Sequence, residues 1–356
     1  MNQPTTTAVV VDDSALMRQM LSELLNSDPA IQVLGAAADP IAARALIKST
    51  NPDVITLDIE MPKMDGLAFL EKIMTLRPTP VLMISSLTQK GADATIQALE
   101  LGAVDFVAKP TSDLKGGMEA KRDEIVRKVK AAARAKLRPR SLFPSGRAKA
   151  RPAGRLYRST ERVILIGAST GGVNAVRDIV FALPADCPAV LVTQHMPAGF
   201  TRSFAERLDR DAVVSVAEAR HGQRAVPGHV LIAPGSQHLE LSRSGANYTC
   251  RLSDSPAVSG HRPSVDVLFR SAAKCAGINA VGVILTGMGR DGAAGLLEMR
   301  RSGARTLGQD EASSVVYGMP KAALDIGAVE RQLPLSKMVD AVLDLCALQK
   351  VGEVRV

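Results

Sequence analysis

Tryptophan is absent from this 356-residue chain, and aromatic residues make up only 3% of it. Its hydrophobic cores must therefore be built from Val, Ile, Leu, Ala and Met. Cysteine is scarce too. Cys187, Cys250, Cys275 and Cys346 lie far apart with no C-x-x-C pair, so neither a zinc site nor a disulfide framework is suggested. Four scattered thiols fit a reducing cytosol, where free cysteine serves as a small buried hydrophobe. No apolar run reaches the ~18 residues of a helical membrane span, and the polar start Met1–Thr7 lacks a signal-peptide core. The expectation is a cytoplasmic protein with no direct membrane insertion. No internal repeat or low-complexity tract is evident.

What is present is ordinary globular material: 46% hydrophobic and 22% charged residues, enough for two domains of usual size. The net charge of +8 raises nucleic-acid binding as a possibility. Its location argues against that. Residues 130–162 hold eleven Lys/Arg and one acid, a net of +10, so the rest of the chain carries about −2. That segment also contains Pro139, Pro144, Gly146, Pro152 and Gly154, a composition that buries no core and reads as a tether. The expected division is 7–125, a basic linker at 126–160 whose first part is helical, and 161–350.

Each folded region reads as an α/β, doubly wound domain. In the first, apolar runs at Ala8–Val11, Ile31–Ala36, Val54–Leu57, Val81–Ile84 and Val104–Val107 alternate with helical patterns such as Ala15–Leu25 and Leu67–Leu76. A last helix runs from about Leu114 to near Lys136. Spacing of roughly 23–27 residues is that of βαβ units, and right-handed crossovers give a five-stranded parallel sheet. In the second, larger and mostly parallel sheet, strands are expected at Val163–Ile166, Ala189–Thr193, Val213–Val216, Val230–Ile232 and Val281–Leu285. A β-hairpin is expected at 239–252. Helices are expected at Val173–Phe181, Thr201–Leu208, Val265–Cys275 and Gly292–Arg301.

Chemistry in such sheets gathers beyond the carboxyl ends of the strands, where the strand order reverses. In the first domain an order of 2-1-3-4-5 makes the first and third strands neighbours, so Asp12, Asp13 and Asp58 converge. Three carboxylates repel one another unless a hard divalent cation binds, and all-oxygen ligation suits Mg²⁺. The fourth strand ends in Ser85-Ser86 and the fifth in Lys109. An anion added to Asp58 would be held by the metal, Ser85 and Lys109, as phosphoryl transfer requires. This motif set resembles the receiver domains of two-component response regulators. The resemblance implies that Asp58 accepts a phosphoryl group from a histidine kinase, and it places Phe106 at the aromatic switch position.

In the second domain the first strand runs into Gly167-Ala168-Ser169-Thr170-Gly171-Gly172, followed by a helix. Small residues around a serine at such a turn expose its Oγ, and the helix start brings N–H groups and a positive dipole end beside an oxyanion. A Gly-rich loop could equally cradle a dinucleotide, but that reading wants an acid at the end of the next strand. The next strand ends in Gln194-His195, and an imidazole there favours general-base chemistry. The strand Val281–Leu285 leads to Thr286-Gly287-Met288-Gly289-Arg290-Asp291. Ser169, His195 and Asp291 thus form the set needed to attack an acyl carbon, in a chain order unlike the familiar serine hydrolases.

The second domain resembles the catalytic domain of chemotaxis protein-glutamate methylesterases/glutamine deamidases, best at Ile166–Gly172, Gln194–Leu208, His261–Leu268, Val283–Gly295 and Gln309–Pro320. The resemblance implies Ser169, His195 and Asp291 as the triad, with backbone N–H groups near Thr170 and Met288 for the oxyanion. It also implies methylated chemoreceptors as substrate, a chemotaxis histidine kinase as phosphodonor, recruitment to membrane receptor arrays, and no esterase cofactor. His221, His229, His238 and His261 read as structural or surface residues. Arg290 adds a cation beside Asp291. A DNA-binding output would need a basic helix-turn-helix, and the near-neutral α/β output region offers none.

Overall fold

A computed structural model describes residues 5–61, 65–86, 88–110, 113–137 and 162–347. The chain divides into two compact units, Met1–Phe143 and Pro144–Val356.

In the first unit, strands β1 (Thr6–Val11), β2 (Ile31–Ala37), β3 (Val54–Asp58), β4 (Val81–Ser85) and β5 (Asp105–Ala108) alternate with helices α1 (Ala15–Asn26), α2 (Pro40–Thr50), α3 (Gly66–Leu76) and α4 (Gln89–Leu101). All pairings are parallel, in the order β2-β1-β3-β4-β5. Strands β3, β4 and β5 are buried throughout, which is why they read as continuous apolar runs. The register pairs Val11 with Leu57, so Asp12 and Asp58 emerge side by side where the strand order reverses.

The expected last helix is two helices, α5 (Leu114–Ala120) and α6 (Arg122–Ala133). The chain bends at Lys121 (φ −95°, ψ 2°), whose Nζ donates to the Ala108 carbonyl. Ile125, Val126, Val129 and Ala132 of α6 are buried, so this helix packs into the unit on both sides of the boundary expected at 125. The expected linker is described only to residue 137; its Pro/Gly-rich basic part lies outside the described residues.

The second unit holds β6 (Val163–Ala168), α7 (Gly172–Ala182), β7 (Ala189–Gln194), α8 (Phe200–Asp211), β8 (Ser215–Glu218), β9 (His229–Ile232), the antiparallel hairpin β10 (His238–Ser244) and β11 (Asn247–Ser253), and α9 (Val265–Cys275). After a 3₁₀ turn come β12 (Ala280–Ile284), α10 (Ala293–Arg301), β13 (Arg305–Gln309), α11 (Met319–Asp325), β14 (Arg331–Leu333) and α12 (Leu335–Cys346). Seven parallel strands run in the order β14-β13-β12-β6-β7-β9-β8. The hairpin forms its own two-stranded sheet beside α9, contributing Leu239, Leu241, Tyr248 and Cys250 to a core shared with Leu268 and Phe269.

Two strands and two helices, β13, β14, α11 and α12, went unread in the sequence. β13 carries Arg305, Thr306, Gly308 and Gln309 around one Leu, and β14 has three residues, so neither shows an apolar period. β8 begins two residues later than expected, as an edge strand with only Val216 buried.

The thiols are packed as small hydrophobes. Burial pushes Cys187, Cys250 and Cys346 up to about 12, far from the reactive thiolate. In the folded chain at pH 7.5 these three should resist iodoacetamide and react once denatured, with mass spectrometry of the digest as the measurement.

Candidate functional sites

β6 delivers Ser169 one residue past its last paired position. The turn that follows needs glycine: Gly171 adopts φ +76°, and a Cβ there would lie 2.6 Å from that of Val315. Ser169 N–H donates to the Thr286 carbonyl (3.1 Å), and the Ser169 carbonyl accepts from Gly172 N–H (2.7 Å). Gly287 follows Thr286, and its own Cβ would meet that of Ser169 at 2.8 Å and Met319 Sδ at 2.3 Å. The loop carrying Met288 is thus in contact with the turn at Ser169.

β7 pairs with β6 so that Ala168 faces Gln194. Ser169 and His195 therefore leave neighbouring strands at one level, and His195 N–H donates to the Ala168 carbonyl (3.2 Å). His195 Nε2 lies 2.8 Å from Asp291 Oδ2. Asp291 is 2% exposed. Its Oδ1 accepts from Ser264 Oγ (2.7 Å) and Asp266 N–H (3.2 Å), and its Oδ2 also accepts from Val265 N–H (2.7 Å). These donors sit at the start of α9, whose dipole adds to them. Burial opposes ionisation of Asp291, but the bonds from His195, Ser264 and Val265 together hold its carboxyl below the usual range. An ionised carboxylate only accepts, so Nε2 carries the imidazole proton and Nδ1 presents a lone pair. Nδ1 is buried and has no hydrogen-bond partner among the described residues.

In the first unit Lys109 Nζ lies 2.8 Å from Asp58 Oδ2 and 3.1 Å from Asp12 Oδ2. Burial raises the Asp58 carboxyl to about 6; Lys109 opposes the shift and the Asp12 charge adds to it. Burial disfavours the Lys109 cation, yet Asp58 and Asp12 raise its pKa above the usual value. Oxygens of Asp12, Asp13 and Asp58 all lie within 4.8 Å of one another. Asp12 Oδ2 is buried, and its charge is met by the Lys109 ammonium. Three carboxylates converging on one point with a single ammonium between two of them form an anionic, all-oxygen donor set that fits Mg²⁺. Ser85 is turned elsewhere: its hydroxyl donates to the Gly91 carbonyl (3.2 Å) and accepts from Thr95 Oγ1 (2.6 Å), both on α4. Phe106 is 3% exposed, with Lys128 Nζ 5.3 Å from its ring centroid.

The family model described as CheB methylesterase matches residues 164–342, and that for the response regulator receiver domain matches 8–116. A protein-glutamate methylesterase/protein-glutamine glutaminase of Nitrosomonas europaea is 56% identical over 339 residues, 94% of this chain and 95% of the relative. One from Pseudomonas aeruginosa is 54% identical, covering 97% and 98%. The chain belongs to the CheB methylesterase family. The crystal structure of the Thermotoga maritima CheB methylesterase catalytic domain is 36% identical with a TM-score of 0.51, covering 52% of this chain and 99% of that one. The doubly wound fold and the joining of a receiver to a hydrolase thus stand as the residues implied. Among the described residues no helix is long and apolar enough to cross a membrane.

Around the CheB-family site the structure gives contacts for residues to which the sequence assigns no role in the chemistry. His261, expected to be structural, stacks on His195 with centroids 3.7 Å apart and planes 10° from parallel. Ser264 reaches Asp291, as above. Gln309 Oε1 accepts from Thr286 N–H (2.8 Å), and Thr286 Oγ1 donates to the Thr170 carbonyl (3.0 Å). The family-like stretches His261–Leu268 and Gln309–Pro320 contained these residues, and polar side chains amid buried neighbours were the available signal. Asp266 accepts from Gly295 N–H (2.7 Å) and so caps the start of α10. Arg262 donates to the carbonyls of Asp254 and Ser255, while Arg290 is exposed.

Ser264→Ala should lower unfolding free energy by about 1.5–3 kcal/mol at pH 7, since it removes a hydrogen bond to a buried charge. Asp291 has a depressed folded pKa, so its contribution is present above the unfolded carboxylate value and lost as pH falls through the folded one. The gap between variant and wild type should therefore close in acid. Denaturant titrations of the full chain from pH 7 to pH 3 measure it.

Proposed function

We propose that this chain is a phosphorylation-activated serine hydrolase that removes methyl esters from glutamates of chemotaxis receptors and deamidates glutamines there, giving sensory adaptation. The observation that carries the reading is the bond between His195 Nε2 and a fully satisfied Asp291 (2.8 Å), which leaves Nδ1 without a partner among the described residues while Ser169 and His195 leave neighbouring strands at one level. In this reading Ser169 Oγ attacks the ester carbonyl carbon and passes its proton to His195 Nδ1. The imidazolium is stabilised by Asp291, and the oxyanion by N–H groups near Thr170 and Met288. His195 then protonates methoxide, which leaves as methanol; for glutamine, ammonia leaves. Water, deprotonated by the same nitrogen, frees Ser169. No cofactor is needed for these steps.

Asp58 is the proposed phospho-acceptor from a histidine kinase. Asp12, Asp13 and Asp58 would hold Mg²⁺, which when bound offsets negative charge at the acceptor. Lys109 already contacts Asp58 and would pair with the added phosphoryl oxygens. Ser85 would reach them by rotating away from Gly91 and Thr95. We further propose the division into a receiver at 7–125, a linker at 126–160 and a catalytic domain at 161–350, acting in the cytoplasm at receptor arrays. The near-neutral folded regions support receptor and kinase as partners over nucleic acid.

Ser169→Ala should abolish methanol release from a methylated receptor fragment while Asp58 still takes up phosphate from acetyl phosphate. Wild-type release by that variant would end the esterase reading. Asp58→Asn should keep basal hydrolysis and lose its stimulation by the phosphodonor; an undiminished response would assign the acceptor elsewhere.

A further inference from the structure

Gln194 closes β7 and is 3% exposed. Its Nε2 donates to the carbonyl of Ser169 (2.9 Å) and lies 3.4 Å from the carbonyl of His195. One amide nitrogen therefore spans the backbones of the residues proposed as nucleophile and base. The orientation of the amide is dictated by its surroundings, because the reverse placement would set its oxygen against two carbonyl oxygens. Oε1 is buried without a hydrogen-bond partner among the described residues. It lies against Gly172, where a Cβ would come within 2.1 Å of it, at the positive end of α7. An apolar side chain of equal length would fill the same space without leaving an acceptor unsatisfied. Packing alone thus gives no reason for an amide here.

The bonds of Nε2 do give one. A trans peptide is planar, with its N–H directed opposite its C=O. The Ser169 carbonyl is fixed from one side by Gln194 Nε2 and by Gly172 N–H (2.7 Å). Fixing that carbonyl fixes the direction of the Thr170 N–H. We propose that Gln194 is a positioning residue for hydrolysis: it pins the Ser169–Thr170 peptide so that the Thr170 N–H is preset for the oxyanion, and it ties that turn to His195. The inference rests on the roles given above to Ser169 and Thr170. It deepens them by naming what holds the peptide in place before the substrate arrives. Preset donors stabilise a transition state without reorganising, so the loss should fall on kcat.

The test uses the full chain and a methylated receptor fragment, with methanol release as the readout. Gln194→Met keeps the length and removes the donor. Its kcat should fall about 10- to 100-fold with KM within about twofold of wild type, a smaller loss than deleting an oxyanion donor outright. Gln194→Glu turns an oxygen toward two carbonyls when ionised, yet donates a bond to the Ser169 carbonyl when protonated. Its kcat relative to wild type should rise as pH falls across the range in which wild-type kcat is flat. A Gln194→Met kcat within twofold of wild type, or a Gln194→Glu ratio flat with pH, overturns the proposal. Should Gln194→Met not fold, the ratio decides alone. Wild-type hydrolysis by Ser169→Ala in the same assay would instead remove the Ser169 assignment and this inference with it.

Discussion

A carboxylate taken out of water and given four donors is the constraint on which the hydrolase site depends. Asp291 is held by His195, Ser264 Oγ and the N–H groups of Val265 and Asp266. Deprived of these, its charge would cost several kcal/mol in the interior. With them it is an obligate acceptor, and the His195 tautomer follows from that fact alone. The hairpin β10–β11 and the core under α9 matter for the same reason. They hold the helix start that supplies three of the four donors.

The first unit handles a buried carboxylate in the opposite way. Burial raises the Asp58 carboxyl to about 6, with Asp12 adding to the shift and only Lys109 and the Glu60 N–H opposing it, while the carboxyl of Asp291 falls. Both arise at carboxyl ends of parallel strands, and both are almost wholly buried. What differs is the number of donors. A saturated carboxylate orients an imidazole and stays put. An undersupplied one keeps attraction for a cation or for a group that changes its charge. The two sheets share an architecture and divide the labour by hydrogen-bond count.

Much of this was legible in the sequence, because strand-end chemistry leaves a linear mark. Asp12, Asp58 and Lys109 each follow an apolar run, and the strand order that unites them follows from the spacing of βαβ units. Ser169, His195 and Asp291 were readable on the same grounds. Less visible were features set by side-chain direction. Ser85 stands at the right strand end, yet its hydroxyl faces α4. His261 lies in an irregular loop, and only folding brings its ring onto His195. β13 and β14 lacked an apolar period because one is rich in Gly and polar residues and the other has three residues. The identity of the basic nitrogen of His195 also needed coordinates, since it depends on which ring atom meets Asp291.

That nitrogen links local geometry to the chemistry. Nδ1 sits on the side of the imidazole nearer its own backbone, where proximity to an adjacent strand matters more than reach across a cleft. The pairing of Ala168 with Gln194 supplies that proximity. The Ser169 N–H is anchored to the β12 loop through Thr286, and Thr286 is anchored in turn by Gln309. Ser169, His195 and the loop after β12 are therefore set by strand register, by buried backbone bonds and by the side-chain amides of Gln194 and Gln309.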